Sequence, residues 1–181
     1  PVVFLERGRL YRAEPPSVAK GAPAIAEIAR LWDVPDGYYT EPLAKARTIT
    51  IGSGKVHATI VSWGVMLLES AIAATRFTQA DGGAVELVDL RTLMPFDEEA
   101  IIASVKRSNR AIVVTEEADL TSFGRHIHSF ITEKCFFDLD HAPALIRAVA
   151  APAAPYNGPE ETAFYPNAKD IEDALTTVAV R

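Results

Sequence analysis

The chain has 181 residues, 49% of them hydrophobic, and a formal net charge of −6, which is enough apolar side chain for one domain with a substantial core and a short extra segment. An acidic balance, with a pI near 5.2 and no segregated basic run, argues against nucleic acid or an anionic membrane surface as a partner. No apolar run approaches the roughly 20 residues needed to cross a bilayer, and nothing at the N-terminus reads as a signal peptide.

Residues 1–12 read as a terminal strand, Pro1-Val2-Val3-Phe4-Leu5, followed by a charged tail from Glu6 to Arg12. Beginning without methionine and already in a strand-like run, the chain is expected to be a piece of a longer polypeptide. Prolines, a glycine and small residues make a linker of Ala13 to Ala24, and Ile25 to Trp32 has enough periodicity for a short helix before the Asp36-Gly37 turn. Beyond Pro42 the pattern is regular. Thr48 to Ile51 and Val56 to Trp63 read as two strands joined by the tight loop Gly52-Ser53-Gly54-Lys55. A helix is predicted from Met66 to Ala80, with Leu67, Leu68, Ala71, Ile72 and Thr75 on one stripe. Strand 84–90, helix 97–107, strand 111–115, helix 123–136, strand 145–149 and a last helix near 168–178 follow. Alternating strands and helices, with helices long enough to serve as crossovers, predict an α/β fold: a doubly wound, mostly parallel sheet with helices on both faces.

The stretch Val85 to Asp97 carries the most information, because an apolar run stops abruptly in charge and a proline. A run of Val and Leu suits a strand covered on both faces, and Pro95 forbids continuing the ladder. Phe96-Asp97-Glu98-Glu99 then opens a helix with acids in its first turn, where the dipole favours them. Arg91, just past the strand and beside Asp89, reads as a buried guanidinium that must have a partner: a substrate phosphate, or, the preferred reading, a group that locks the strand end to a neighbouring domain or subunit. Glu116 and Glu117 end the run Ala111 to Thr115 at a carboxyl edge, where ligands of open α/β sheets gather. Two acids there could do acid-base work or bind a cationic partner, but adjacent strand residues point to opposite faces, so an ion pair or a nearby helix cap is the preferred reading. Thr92, Met94, Phe96 and Phe123 are predicted to form an apolar contact surface along the same edge.

Other constellations read as structural. A phosphate loop needs glycine where Ile49 stands and Ser or Thr where Val56 stands, so Gly52 to Lys55 is a turn. No G-x-G-x-x-G occurs. His126 and His128 lie two apart on a helix and face away from each other, and His57 and His141 have no ligand-type neighbours at metal spacing. Cys135, the one cysteine, lies among apolar residues of a predicted helix; a reducing compartment is expected, the cytoplasm or the mitochondrial matrix of a eukaryote.

The wording Glu86-Leu87-Val88-Asp89-Leu90-Arg91-Thr92-Leu93-Met94-Pro95-Phe96-Asp97 resembles the C-terminal domain of the beta subunit of thiamine-diphosphate-dependent 2-oxo acid dehydrogenases, a domain of the transketolase C-terminal superfamily. Other pieces agree. Pro1 to Glu6 with Arg9 to Arg12 looks like the last strand and exit of that family's pyrimidine-binding domain. Tyr38 to Ala46 looks like its "Y-x-x-P-L-G-K-A", with Ala44 for the usual glycine. Thr59 to Gly64 is similar to its "T-I-V-T-Y-G" strand, and Ala111 to Glu117 with Ser122-Phe123-Gly124 to its "V-V-V-E-E" and "G-F-G". Pro166 with Asp170-Ile171 matches its closing "P-x-x-x-D-I". The loop Ala150 to Tyr156 lacks the family's "D-T".

The resemblance implies the following. Residues 1–12 end a preceding pyrimidine-binding domain, 13–41 form a linker with a short inserted helix, and 42–181 form the C-terminal domain. The complete enzyme decarboxylates a 2-oxo acid on thiamine diphosphate with magnesium, in partnership with an alpha subunit, a second beta subunit and a lipoyl acyltransferase core. Its cofactor-holding regions lie outside this chain, so no catalytic, cofactor or metal residue is expected here. Asp89, Arg91, Thr92, Pro95, Phe96, Glu116, Glu117, Phe123 and Gly124 are expected to serve structure or an interface. A transketolase or deoxyxylulose-phosphate synthase domain, or a stand-alone assembly module, are the competing readings.

Overall fold

A computed structural model describes residues 1–12, 34–118 and 122–179. Five strands form one sheet: β1 (Arg47–Gly52), β2 (Val56–Ser62), β3 (Ala84–Asp89), β4 (Ala111–Val114) and β5 (Ala144–Ile146), in the order β1-β3-β2-β4-β5. β1 runs antiparallel to β3, and the other pairings are parallel. The helices are α1 (Val65–Asp81), α2 (Glu98–Ser108), α3 (Phe123–Lys134), α4 (Gly158–Phe164) and α5 (Ala168–Ala179).

Side chains alternate across the pleat, and both sides are apolar because both are covered. Ile60, Val85, Leu87, Ile112 and Val114 face one core with Met66, Ala74 and Phe77 of α1 and Ile171, Leu175 and Val178 of α5. Val61, Val88, Val113 and Leu90 face the other, against Ile101 and Val105 of α2 and Ile127, Phe130 and Ile131 of α3. The predicted doubly wound sheet is therefore what the chain forms.

A polar network at the second face holds α2 in place. Glu86, in the middle of β3 and only 6% exposed, accepts two hydrogen bonds from Arg107, Nε at 2.9 Å and Nη2 at 2.7 Å, and one from Ser104 Oγ at 2.6 Å. Thr59 Oγ1 of β2 lies 2.8 Å from Ser104 Oγ and 2.9 Å from Ser108 Oγ. A carboxylate at this depth is tolerable only because its lone pairs are used. At the other end of the helix Asp97 Oδ1 accepts from Ala100 N at 3.1 Å, as an N-cap, while Oδ2 accepts from Ala46 N at 3.0 Å.

Some expectations are corrected. The Gly52 to Lys55 loop joins β1 and β2, but the two are not neighbours, because β3 lies between them. Ser53 N donates to Gly83 O at 3.0 Å and Ala84 N to Lys55 O at 2.8 Å, so the loop straddles the start of β3. Two strand spacings are about 10 Å, which the loop residues reach easily. Glycine is needed there: a Cβ on Gly52 would stand 2.3 Å from Gly83 O. Residues 1–5 pair with no described strand and leave Val2, Val3, Phe4 and Leu5 exposed; strand hydrogen bonds need a neighbouring strand, and none is beside them. The stripe on α1 is broader than predicted, taking in Ala73, Ala74 and Phe77, because α5 covers α1 on a second side. β5 is shorter than predicted and α3 ends at Lys134. Helix α4 is an addition to the predicted elements, with a local cap: Asn157 Oδ1 accepts from Glu160 N at 3.0 Å. The predicted linker of Ala13 to Ala24 and helix of Ile25 to Trp32 lie outside the described residues.

Two outcomes follow from these packing facts. Arg107→Ala removes two of the donors that satisfy Glu86, so denaturant unfolding should show a loss of about 1–3 kcal/mol, recovered in part when Glu86→Gln is added. Ala44 stands at φ +56, a left-handed conformation that a side chain with a Cβ adopts at a cost; Ala44→Gly should stabilise the chain by about 1 kcal/mol in the same assay.

Candidate functional site

The carboxyl edge of the parallel strands gathers the unusual groups of the chain. β3 ends at Asp89, and Leu90 N donates to Ser62 O of β2 at 3.1 Å, holding the exit against the sheet. Arg91 then adopts φ +56, and Thr92 N donates back to Leu90 O. A non-glycine residue in the left-handed region needs compensation. Here the Arg91 N–H donates to the Asp89 carboxylate and the guanidinium pairs with Glu41. The expected burial of Arg91 is corrected: its side chain is 30% exposed and that of Glu41 is 53% exposed. Its partner comes from the same chain, and such a pair contributes at most about 1 kcal/mol. Asp89 is the more deeply placed of the two neighbours. Burial lifts its carboxyl to about 6, with Arg91 and Arg47 pulling the other way.

Beyond the turn, Met94 and Pro95 are exposed, Met94 at 76%, while Thr92, Phe96 and Phe123 are half-buried. Phe96 packs edge-on against Phe130 at 5.1 Å, His126 at 5.7 Å and Phe123 at 6.0 Å between centroids, and Phe123 packs on Trp63 at 5.4 Å. These rings form an aromatic ledge rooted in the chain's own core, with Met94 as its exposed tip. Gly124 lets α3 approach the sheet, since a Cβ there would stand 2.6 Å from Thr115 Cγ2. Ser122 Oγ caps α3 by accepting from Arg125 N at 3.0 Å.

The adjacent acids Glu116 and Glu117 divide two roles. Glu117 Oε2 accepts from Gly124 N at 3.4 Å and from Thr115 Oγ1 at 3.3 Å, at the start of α3. Glu116 turns the other way and pairs with Arg7. That pair borders a cavity of about 310 Å³ lined by Gly8, Val65, Glu69, Glu161, Tyr165 and Asn167 among others. The chain leaves β2 toward α1 on one face and β4 toward α3 on the other, so this cavity lies at the topological switch point of the sheet. The sequence carried no signal for the Arg7–Glu116 and Arg91–Glu41 pairs, each of which joins distant segments.

The remaining candidates are separate. His128 Nε2 lies 2.9 Å from Pro143 O, and His126 stands on the ledge. No group of three or more metal-ligand side chains occurs among the described residues. Cys135 is buried, and burial followed by the nearby Asp138 pushes its thiol up. No described helix is long and apolar enough to cross a membrane.

Comparison with known proteins adds the following. Residues 48–171 match the family model "Transketolase, C-terminal domain". The chain is 32% identical to the 2-oxoisovalerate dehydrogenase subunit beta of Pseudomonas aeruginosa over 98% of its own length and 48% of that protein's. It is 35% identical to the pyruvate dehydrogenase E1 component subunit beta of Acholeplasma laidlawii, over 79% of its length and 38% of that protein's. The chain thus spans about half the length of the curated relatives it matches, or less. Among solved structures, an inactive tetramer of a split-gene transketolase has a similar fold, with TM-score 0.59 and 20% identity over 74% of this chain and 42% of that one.

Asp89 makes stability pH-dependent with an unusual sign. Its carboxyl protonates at about 6 in the folded chain against 3.8 ordinarily, so between those values the folded state holds the proton more tightly than the unfolded state. Its contribution to stability is therefore present below about pH 4 and is lost as the pH rises through 6, by a few kcal/mol at most. Asp89→Asn should gain stability relative to the unmodified chain between pH 4 and pH 7. A difference between the two that does not change with pH in urea titrations would refute this assignment.

Proposed function

The chain belongs to the transketolase C-terminal domain family, and from that premise we propose that it is the C-terminal part of the beta component of a 2-oxo acid dehydrogenase, an oxidoreductase of the pyruvate or branched-chain type. The observation that carries this reading is the extent of the likeness: the identity to the P. aeruginosa subunit runs over 98% of the chain, and so takes in the N-terminal segment ahead of the family match at residues 48–171. In this reading residues 1–12 end a pyrimidine-binding domain, 13–41 connect, and 42–181 form the domain that helps assemble the enzyme.

Catalysis belongs to other parts of such an enzyme. Thiamine diphosphate with magnesium is the cofactor proposed for the complete assembly, but the groups described here do not fit it. The switch-point cavity is lined by the carboxylates of Glu69, Glu116 and Glu161, which repel a diphosphate. The part proposed for this chain is contact. Met94, Pro95, Thr92, Phe96 and Phe123 form the surface offered to an alpha component or a second beta component, with Asp89 and Arg91 shaping the turn that presents it and Glu117 and Gly124 placing α3 behind it. A lipoyl acyltransferase core is a further partner proposed for the complete assembly, and the loop from Ala150 to Tyr156, which lacks the family's "D-T", is not assigned to dock it. The proposed setting is the cytoplasm, or the mitochondrial matrix in a eukaryote.

Sedimentation velocity tests the contact surface. The chain should self-associate at high concentration through the exposed Met94 edge, and Met94→Asp should weaken association by about tenfold or more, since a carboxylate buried in an apolar interface is costly. Phe123→Asp should act in the same direction. Calorimetric titration with thiamine diphosphate and magnesium should show no saturable binding. A strictly monomeric chain, or micromolar cofactor binding, would overturn the reading.

A further inference from the structure

We infer that the switch-point cavity between β2 and β4 is an arginine socket, a receptor for a guanidinium side chain presented by an extended segment, at whose wall Arg7 stands from within the chain, its side chain 48% exposed. This goes beyond the assembly role above, because it assigns a binding chemistry to a different place on the carboxyl edge. The crevice that open α/β sheets ordinarily give to a ligand here receives part of the polypeptide itself.

Three observations converge on it. First, the lining is acidic, with Glu69, Glu116 and Glu161 facing one cation, Arg7. Glu69 Oε2 is engaged in accepting from Ala168 N at 3.1 Å, at the start of α5, and Glu161 is exposed. Glu116 is the deeper acid, its side chain 19% exposed, and the Arg7 guanidinium is seated on it. Second, the Arg7 stem lies along the chain leaving β2: Gly64, at φ +59 between β2 and α1, is its neighbour, and a Cβ there would be in ordinary contact with Arg7 Cγ at 3.8 Å. Third, the donor segment is built to present its arginine. Arg7 O accepts from Leu10 N at 2.9 Å, opening a short 3₁₀ turn over Gly8–Arg12, and Tyr11 reaches back to hydrogen-bond Glu6. Around that turn Val2 to Leu5 are exposed, so the arginine anchors a segment that otherwise lies open to solvent.

A planar guanidinium with several donors suits a partly buried carboxylate such as Glu116 better than a compact ammonium does. The socket is therefore expected to prefer arginine over lysine, and to fix where the segment ahead of the domain leaves it.

Hydrogen exchange and NMR titration of the chain test the assignment together. Protection of the Leu10 amide should fall by about tenfold or more in Arg7→Ala and in Glu116→Gln, no further in the double variant, and return in the charge-swapped pair Arg7→Glu with Glu116→Arg. With the socket emptied by Arg7→Ala, N-acetyl-arginine amide should shift the Val65, Glu117 and Ala168 resonances saturably in the millimolar range, more strongly than the lysine amide, and the norleucine amide should have no effect. Adding Glu116→Gln should abolish that response. Unchanged Leu10 protection in Arg7→Ala, additive losses in the double variant, or equal responses to the arginine and norleucine amides would each overturn the inference.

Discussion

The position of α2 is the constraint on which the carboxyl edge depends. A carboxylate in the middle of an otherwise apolar strand, Glu86, is desolvated and must be fully hydrogen-bonded; the donors available come from Ser104 and Arg107 on α2. That requirement fixes the helix in rotation and along its axis, as an apolar contact alone would not, since apolar surfaces can slide. Asp97 fixes the other end by capping the helix and holding Ala46. With both ends tied, the segment between Asp89 and Asp97 has little freedom. Its tight turn at Arg91 and its exposed tip at Met94 follow from closing that fixed gap.

The same edge is electrostatically divided. At β3 a half-buried acid, Asp89, sits among cations and is lifted by burial. At β4 a better-placed acid, Glu116, takes a cation from the far N-terminal segment. The two sites lie on either side of β2, whose own exit supplies the Trp63 ring to the aromatic ledge and Val65 to the cavity wall. At Glu86 and Glu116 an acidic chain thus sets an arginine against a carboxylate that has lost water.

Several sequence motifs shared with the family have local physical roles. The proline, asparagine and Asp-Ile of the closing motif are a helix start: Asn167 Oδ1 accepts from Lys169 N at 2.9 Å, Asp170 Oδ2 accepts from Asn167 N at 3.0 Å, and Ile171 enters the core. The aspartate after Pro-Phe is the α2 cap, and the glycine after Ser122-Phe123 is a contact with Thr115. Ala44 holds a left-handed backbone, φ +56, which a glycine would adopt without strain.

The sequence by itself determined the fold class and most element positions, because buried strands with runs such as Val85 to Leu90 and helices with local caps announce themselves through composition and periodicity. It also led to the expectation of an ion pair or a helix cap at Glu116 and Glu117, although both lie past the end of β4 at Val114 and not in a strand. What it did not reveal were facts of pairing. That β3 separates β1 from β2, that α1 is covered on two sides, that Arg91 is half open to solvent and bound to Glu41, and that Arg7 reaches Glu116 all join residues far apart along the chain. Such pairings depend on how long-range contacts close loops and on which polar groups are left without water once they do, so only the tertiary structure decided them.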